Sequence, residues 1–255
     1  MDADTNSVAV KSTARSAIFQ IASINTPLFI SALTYDTIDS ARPCDKNGYL
    51  KLVSLFIRKK PLILYSNLPA LVEAVVKSLD PNIPNLRETV LQTTTSILHD
   101  LVKTFPSITF HGRSQKLAVG TLEGASIVYD LRTATRCHVL EGHTKPVTAI
   151  SFSGDGKLIV SCSLDEQTVR VWNPNPGLLG MLTGSLAATA GASRDTKPFV
   201  NTLSSSIKPS KTFGFNIGDD VRLSAPTILD TVHFDWVAER TVKLYVQELT
   251  MSFNV

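Results

Sequence analysis

The chain has 255 residues, of which 43% are hydrophobic, and its 25 basic and 22 acidic side chains leave a net charge of +3. A chain this apolar is not a disordered polypeptide, and a charge this even gives no case for a nucleic-acid partner. The N-terminus has no charged region leading into an apolar run, and no apolar run reaches the ~20 residues of a spanning helix, so the expectation is a soluble intracellular protein with no direct membrane insertion.

The hydrophobic period changes near residue 105: helical spacing before it, alternation after it. Residues 8–23 place Val8, Ala14, Ala17, Ile18, Ile21 and Ala22 on one face, and Pro27 interrupts the pattern. Residues 28–38 continue it, 39–47 read as a loop, and 48–58 form another amphipathic piece closed by Pro61. Residues 67–79 and 85–104 are two further amphipathic helices, joined by the breaker Asp80-Pro81-Asn82-Ile83-Pro84. A short breaker between two such helices predicts an antiparallel hairpin. The pair resembles one repeat of an α-solenoid of the HEAT or armadillo kind; any helical bundle is the alternative.

Pro106 ends the helical half. Short alternating runs follow at 107–111, 117–121, 125–130 and 136–140, separated by Gly112-Arg113-Ser114 and Glu123-Gly124. Residues 144–173 supply another set, with Asp155-Gly156 as a type I′ hairpin turn. Residues 174–211 scatter Pro and Gly among Ala, Ser and Thr, and read as a long, flexible insertion. Strands resume over 228–255, with a turn at Ala238-Glu239-Arg240 and a last strand at 250–255.

The stretch from His138 to Asn173 is the most specific in the chain. It carries Gly142-His143, Val147, Phe152, Asp155-Gly156, Ser161, Asp165 and Trp172 in that order. It resembles a WD repeat, one blade of a β-propeller, a fold that mainly binds other proteins. In such a blade Trp172, Ser161, His143 and Asp165 are expected to form a buried hydrogen-bond chain, because a buried indole N–H needs an acceptor and a buried imidazole needs partners on both nitrogens. The set looks like a Ser-His-Asp triad, but its serine is internal to a strand and engaged by a Trp, so it is read as structural. The turn at Asp165–Thr168 is one residue longer than usual. The preceding blade is degenerate: Tyr129 stands where Trp is expected, Thr121 sits in the second strand, and Glu123-Gly124 replaces the acidic turn. Its polar network is expected to be weaker.

The remaining candidates read as structural. Ser153-Gly154-Asp155-Gly156-Lys157 lacks the frame of a phosphate loop and is a hairpin turn. Cys137-His138 is adjacent rather than metal-spaced, and Arg58-Lys59-Lys60 is a solvated helix end. Cys44, Cys137 and Cys162 are odd in number with no CxxC spacing, which points to free thiols in a reducing compartment. No catalytic, cofactor-binding or metal-binding residue is assigned, no cofactor is expected, and the chain is not read as an enzyme.

The stretches Ser78–Pro81, Leu86–Glu88, Leu98–Pro106, Gln115–Thr121, Tyr129–Thr135 and Leu140–Val147, with Trp236 and the terminal Phe253-Asn254-Val255, resemble the C-terminal region of the rabconnectin-3 beta subunit family. The resemblance spares the insertion and covers most of the rest. It implies a large non-catalytic scaffold with WD repeats at both ends and helical repeats between. Its partners would be the rabconnectin alpha subunit and peripheral subunits of the vacuolar proton-pumping ATPase, in the cytoplasm at the periphery of vesicle or vacuolar membranes. A generic WD-repeat adaptor in trafficking or ubiquitin ligation is the rival. The expected fold is thus α+β: a helical repeat segment over 1–105, then a partial WD-repeat propeller over 106–255. Since a propeller needs ~4–8 blades, the chain is expected to be a fragment whose open sheet edges await the rest of the ring.

Overall fold

The computed structural model describes residues 2–39, 43–174, 205–218 and 223–255. Packing divides the chain into a mainly helical unit, Met1–Phe105 with Leu131–Thr135 and Ser224–Leu229, and a unit of sheets, Pro106–Asp130, Arg136–Leu223 and Asp230–Val255.

The helices are α1 (Asp2–Ile24), α2 (Thr26–Asp39), α3 (Pro43–Lys59), α4 (Pro61–Tyr65), α5 (Leu68–Lys77) and α6 (Pro84–Thr104). Leu86, Val90, Thr94, Ile97 and Leu101 recur at spacings of three and four and are the buried stripe of α6. Against α6 lies α3, whose Leu50, Val53, Phe56 and Ile57 are buried. Phe56 receives the edge of Phe19 at 5.0 Å and sits 4.9 Å from Phe29, so α1, α2 and α3 share one aromatic contact. Arg58 Nε donates to Asp100 Oδ2 at 2.7 Å along the same seam.

Two expectations change here. The region 39–47 is helical from Pro43 onward, because Pro43 opens α3 with a preset φ and Asp45 favours its first turn. Lys46 is buried and donates from Nζ to the carbonyl of Ile38 at 3.0 Å, placing a cation on the last turn of α2. Likewise Pro61 opens the short helix α4 as well as ending α3. No single described helix is long and apolar enough to cross a membrane; Val8–Ile24 and Thr26–Ile38 pass that test only together, with a bend of 118° between them.

The strands are β1 (Ile108–His111), β2 (Lys116–Gly120), β3 (Ser126–Asp130), β4 (Thr135–Leu140), β5 (Ala149–Phe152), β6 (Ile159–Ser163), β7 (Thr168–Trp172), β8 (Ser205–Ile207), β9 (Lys211–Gly214), β10 (Val232–Ala238), β11 (Thr241–Val246) and β12 (Leu249–Asn254). They form three sheets, ordered β1-β2-β3-β4-β8, β5-β6-β7-β9 and β10-β11-β12. β5 packs beside both β1 and β10. The second sheet therefore lies between the other two. Ala118, Val128 and Leu140 from the first meet Ile150, Phe152, Ile159 and Trp172 from the second in one buried cluster. Every residue of β6 is buried, whereas β11 alternates, with only Val242, Leu244 and Val246 fully covered. The other face of the third sheet is polar and carries His233 stacked on Tyr245 at 4.6 Å.

Part of the segment expected to be an insertion forms strands. Residues 175–204 lie outside the described residues, but β8 adds to β4 in parallel, and β9 completes the second sheet antiparallel to β7. Their composition hid them: Ser-Ser-Ile and Lys-Thr-Phe-Gly each hold one large apolar residue, too few to show an alternation. Residues 225–231 form a short helix, α7 (Ala225–Thr231), so the third sheet starts at Val232 rather than at 228. The β5–β6 connection, residues 153–158, is too long for a two-residue hairpin. Gly156 N donates to Ser153 O at 2.8 Å, and only Gly156 (φ 70°) is left-handed, which is a type I turn followed by glycine, not type I′.

Gly124 occupies a backbone position with little freedom. Its φ is +93°, and an added Cβ would fall 2.3 Å from the carbonyl oxygen of His143. Gly124→Ala is expected to cost about 1–3 kcal/mol of unfolding free energy from the strained φ and the displaced loop; an unchanged denaturant midpoint would refute this reading.

Candidate functional site

Trp172 begins a chain of hydrogen-bonding side chains in the second sheet. Trp172 closes β7 and is fully buried; its Nε1–H donates to Ser161 Oγ at 2.8 Å. Ser161 lies in the middle of β6, also fully buried, and sits 2.9 Å from His143 Nε2. His143 Nδ1 is 2.7 Å from Glu166 Oε2. Since Ser161 already accepts from the indole, its own proton goes to His143 Nε2, and the imidazole donates from Nδ1 to the carboxylate. The ring is therefore neutral. Burial pushes the His143 pKa below its usual value, although Glu166 pulls the other way.

Glycine precedes the histidine for a steric reason. A Cβ on Gly142 would sit 2.8 Å from the Trp172 ring. The loop after β4 can lay His143 over the sheet only by passing its backbone against that indole.

The carboxylate of this chain is not that of Asp165. Asp165 is exposed and Glu166 takes its place. The turn explains the exchange. Gln167 N donates to Leu164 O at 3.1 Å and Gln167 is left-handed (φ 51°), so the extra residue rotates the second acid, not the first, toward His143. Glu166 accepts from the Thr144 backbone N–H, from Thr144 Oγ1 at 2.7 Å and from Thr168 Oγ1 at 3.0 Å, with Arg170 Nη2 at 3.5 Å. Burial alone would raise its pKa, but the donors from Thr144, His143 and Thr168 outweigh it and hold the carboxyl at about 2. The signal in the sequence was the pair of adjacent acids in a lengthened turn; spacing alone did not choose between them.

The preceding sheet has no such chain. Tyr129 is buried and pairs in register with Leu117, as Trp172 pairs with Ile159. Two residues beyond Ile159 stands Ser161; two beyond Leu117 stands Val119, which offers no hydroxyl. Thr121 lies just past the end of β2 rather than within it. Its Oγ1 and the Ser126 Oγ are buried without a hydrogen-bond partner. What ties this turn down is backbone: Val147 N donates to Thr121 O at 3.0 Å.

Other links join the sheets at their turns. His111 Nδ1 accepts from Ser114, at 2.8 Å from its hydroxyl, which leaves Nε2–H for Gly154 O at 3.3 Å. Trp236 Nε1 donates to Ser151 Oγ at 3.1 Å, fastening β10 to β5. Ser153 Oγ donates to Asp155 Oδ1 at 2.6 Å, and this bond with the Lys157 N–H brings the Asp155 carboxyl down to about 2. The stretch with a faint likeness to a phosphate loop is thus a self-bonded turn. Cys137 and Cys162 are free thiols, and burial raises both, Cys162 being fully enclosed. Among the described residues, no group of three or more His, Cys, Asp or Glu side chains is arranged to hold a metal ion.

The Ser161–His143–Glu166 order matches the connectivity of a nucleophile, base and orienting acid, but the geometry forbids that chemistry. Ser161 Oγ is inaccessible and already bonded on both sides. No substrate carbonyl could reach it without removing Trp172.

Comparison with known proteins agrees with the local geometry. Residues 134–173 match the family described as WD domain, G-beta repeat. A WD repeat-containing protein SL1-17 from Schistosoma mansoni is 42% identical over 64 residues, 25% of this chain and 21% of that protein. Pre-mRNA-processing factor 19 from Oryza sativa is 35% identical over 69 residues, 27% of this chain and 13% of that protein. The chain thus spans about a fifth or less of the length of these two relatives. Among solved structures, Kluyveromyces lactis Hsv2 aligns at a TM-score of 0.39 with 10% identity, over 57% of this chain and 39% of that one. A Cps50 (Swd1) β-propeller domain from Myceliophteria thermophila aligns at 0.35 with 14% identity, over 58% of this chain and 38% of that one. Alignments this partial add nothing to the sheets already described.

Glu166→Ala is expected to cost about 1–3 kcal/mol by leaving His143 and Thr144 underpaired, and Asp165→Ala less than about 0.5 kcal/mol; equal costs in urea titrations would reject the exchange of acids. Acid sensitivity follows from the same groups. Glu166 is depressed in the folded state, so its stabilisation is present above pH 4.5 and lost as pH falls toward about 2. His143, kept neutral by burial, adds a loss that begins below pH 6.5. Glu166→Gln should therefore flatten the fall in melting temperature below pH 4.5 relative to the unsubstituted chain; parallel curves would contradict it.

Proposed function

We propose that this WD-repeat protein is a non-catalytic scaffold, and that its sheets offer rigid surfaces to protein partners. The observation that carries this reading is the closed hydrogen-bond chain from Trp172 to Glu166. Every polar group in it is satisfied inside the sheet, so it holds shape and leaves no reactive atom for chemistry. A WD repeat with its sheets stacked in this way is suited to binding, since such folds recognise proteins through preformed surfaces with little ordering cost.

The finer reading places the chain in an assembly of the rabconnectin kind, regulating the vacuolar proton-pumping ATPase and the acidification of vesicles. It rests on the residue run Leu98–Pro106, which lies outside the WD repeat at residues 134–173. In that role the helices of residues 1–105 would be HEAT-like repeats, the partners would be the alpha subunit and peripheral ATPase subunits, and the site of action the cytoplasmic side of vesicle or vacuolar membranes. The rival within the same class is a WD-repeat adaptor in trafficking or ubiquitin ligation.

An affinity pull-down of the tagged chain, read by mass spectrometry, separates these. Enrichment of the rabconnectin alpha subunit or ATPase peripheral subunits is the result expected. Enrichment of ubiquitin-ligase or coat components instead would transfer the chain to the adaptor reading. Hydrolytic turnover by the purified chain, abolished by Ser161→Ala with the fold intact, would overturn the scaffold reading altogether.

A further inference from the structure

The chain crosses between two sheets at their outer margin. β8 pairs in parallel with β4 on the first sheet, matching Val139 with Ser206 and Leu140 with Ile207. Within a few residues the chain returns to the second sheet as β9, and Ser210 N donates to Val171 O at 2.8 Å. This segment is a clasp. Its hold on the first sheet is slight. β8 has 3 residues, Ser206 is exposed, and Ile207 is partly covered, against the buried cluster that includes Trp172. The polar half of the hold is one carboxylate. Ser206 Oγ donates to Glu141 Oε2 at 2.7 Å, and Lys208 Nζ lies 3.4 Å from the same oxygen. Beside them, Glu141 N donates to Ile207 O at 3.0 Å and closes the strand pair.

We propose that Ser206 is a phosphorylation site and that a phosphoryl group there opens the clasp, freeing the outer edge of β4. The donor is ATP, used by a serine/threonine protein kinase. Ser206 Oγ attacks the γ-phosphorus, the bond from that phosphorus to the β,γ-bridging oxygen breaks, and ADP departs. The hydroxyl proton passes to the kinase's general base. The product reverses the contact at Glu141. A hydroxyl that donated to the carboxylate becomes a group of about −1.5 to −2 charge facing it. The phosphate also attracts the Lys208 ammonium, so Glu141 loses both Ser206 and Lys208 as side-chain partners. The three-residue parallel strand has little else to keep it in place, and Ile207 leaves with it. A strand edge exposed in this way pairs readily with an extended segment of another chain, which makes the device a means of gating access.

The full chain can be prepared with phosphoserine at position 206 by genetic code expansion and compared with the unmodified protein, Ser206→Ala, and phosphoserine 206 combined with Glu141→Gln. Amide hydrogen exchange at Glu141 reads the β4–β8 pair, and amides of β6 and β7 report that the second sheet remains folded. Phosphoserine is expected to speed exchange at Glu141 by about tenfold or more, the change that losing one hydrogen bond to a charged group produces. Ser206→Ala should have a smaller effect, and Glu141→Gln should restore protection to the phosphorylated chain. Unchanged exchange with phosphoserine, an equal effect of Ser206→Ala, or failure of Glu141→Gln to restore protection would overturn the switch. Incubation of the chain with ATP and extract of its own cells should place phosphate on Ser206 by mass spectrometry; its absence there overturns the site.

Discussion

An indole N–H taken out of water must find an acceptor inside the protein, and much of the sheet unit is arranged around how Trp172 finds one. Ser161 accepts, His143 accepts from Ser161, and Glu166 accepts from His143. Each member is on a different stretch of chain: β7, β6, the loop after β4, and the turn between β6 and β7. The chain of bonds therefore fixes the loop that leads from the first sheet into the second. Gly142 is glycine because that loop runs against the Trp172 ring, and Gly124 because its turn runs against the His143 carbonyl. Two glycines, distant in sequence, answer to the course of the loop that one buried donor holds.

The contrast with the first sheet shows what the network adds. There a tyrosine fills the place of the tryptophan, and a valine the place of the serine. The apolar packing survives, with Leu117, Ala118, Val119 and Val128 fully buried, but no serine stands at the position from which Ser161 reaches His143. The first sheet is held by apolar area and by its neighbour, the second by these and by a directional chain of hydrogen bonds. The third shows a different economy. Its β11 covers alternate residues only, and its free face is furnished with His233, Tyr245 and Lys243 rather than with aliphatic side chains.

Much of this was legible beforehand, for identifiable reasons. The α6 stripe is long and periodic, so its buried residues could be read from spacing. His143, Ser161 and Trp172 belong to a pattern in which each side chain requires the next. Glu166 was hidden because both it and Asp165 satisfy the chemistry, and only the left-handed Gln167 decides which one points inward. The start of α3 was hidden because Pro43 lies in a run, residues 39–47, whose composition reads as a loop, although proline at the first turn of a helix is an initiator. β8 and β9 were hidden for a third reason. They are short, polar and stabilised by strands far away in sequence, so no local pattern announces them.

That last feature bears on how the protein is made. The second sheet takes its first three strands from residues 149–172 and its fourth from residues 211–214. The first sheet, although it begins earlier in the chain, is completed by residues 205–207. A ribosome delivers the chain in order, so both sheets emerge with an uncovered margin and keep it until residues 205–214 have left the exit tunnel. Joining ends across so long a stretch costs entropy that grows only slowly, about 0.6 kcal/mol for each doubling of length. The delay is thus one of timing rather than of stability. During that interval the nascent chain presents two open strand edges at once, and the window in which a holding chaperone would be of use opens when β7 appears and closes when β9 docks.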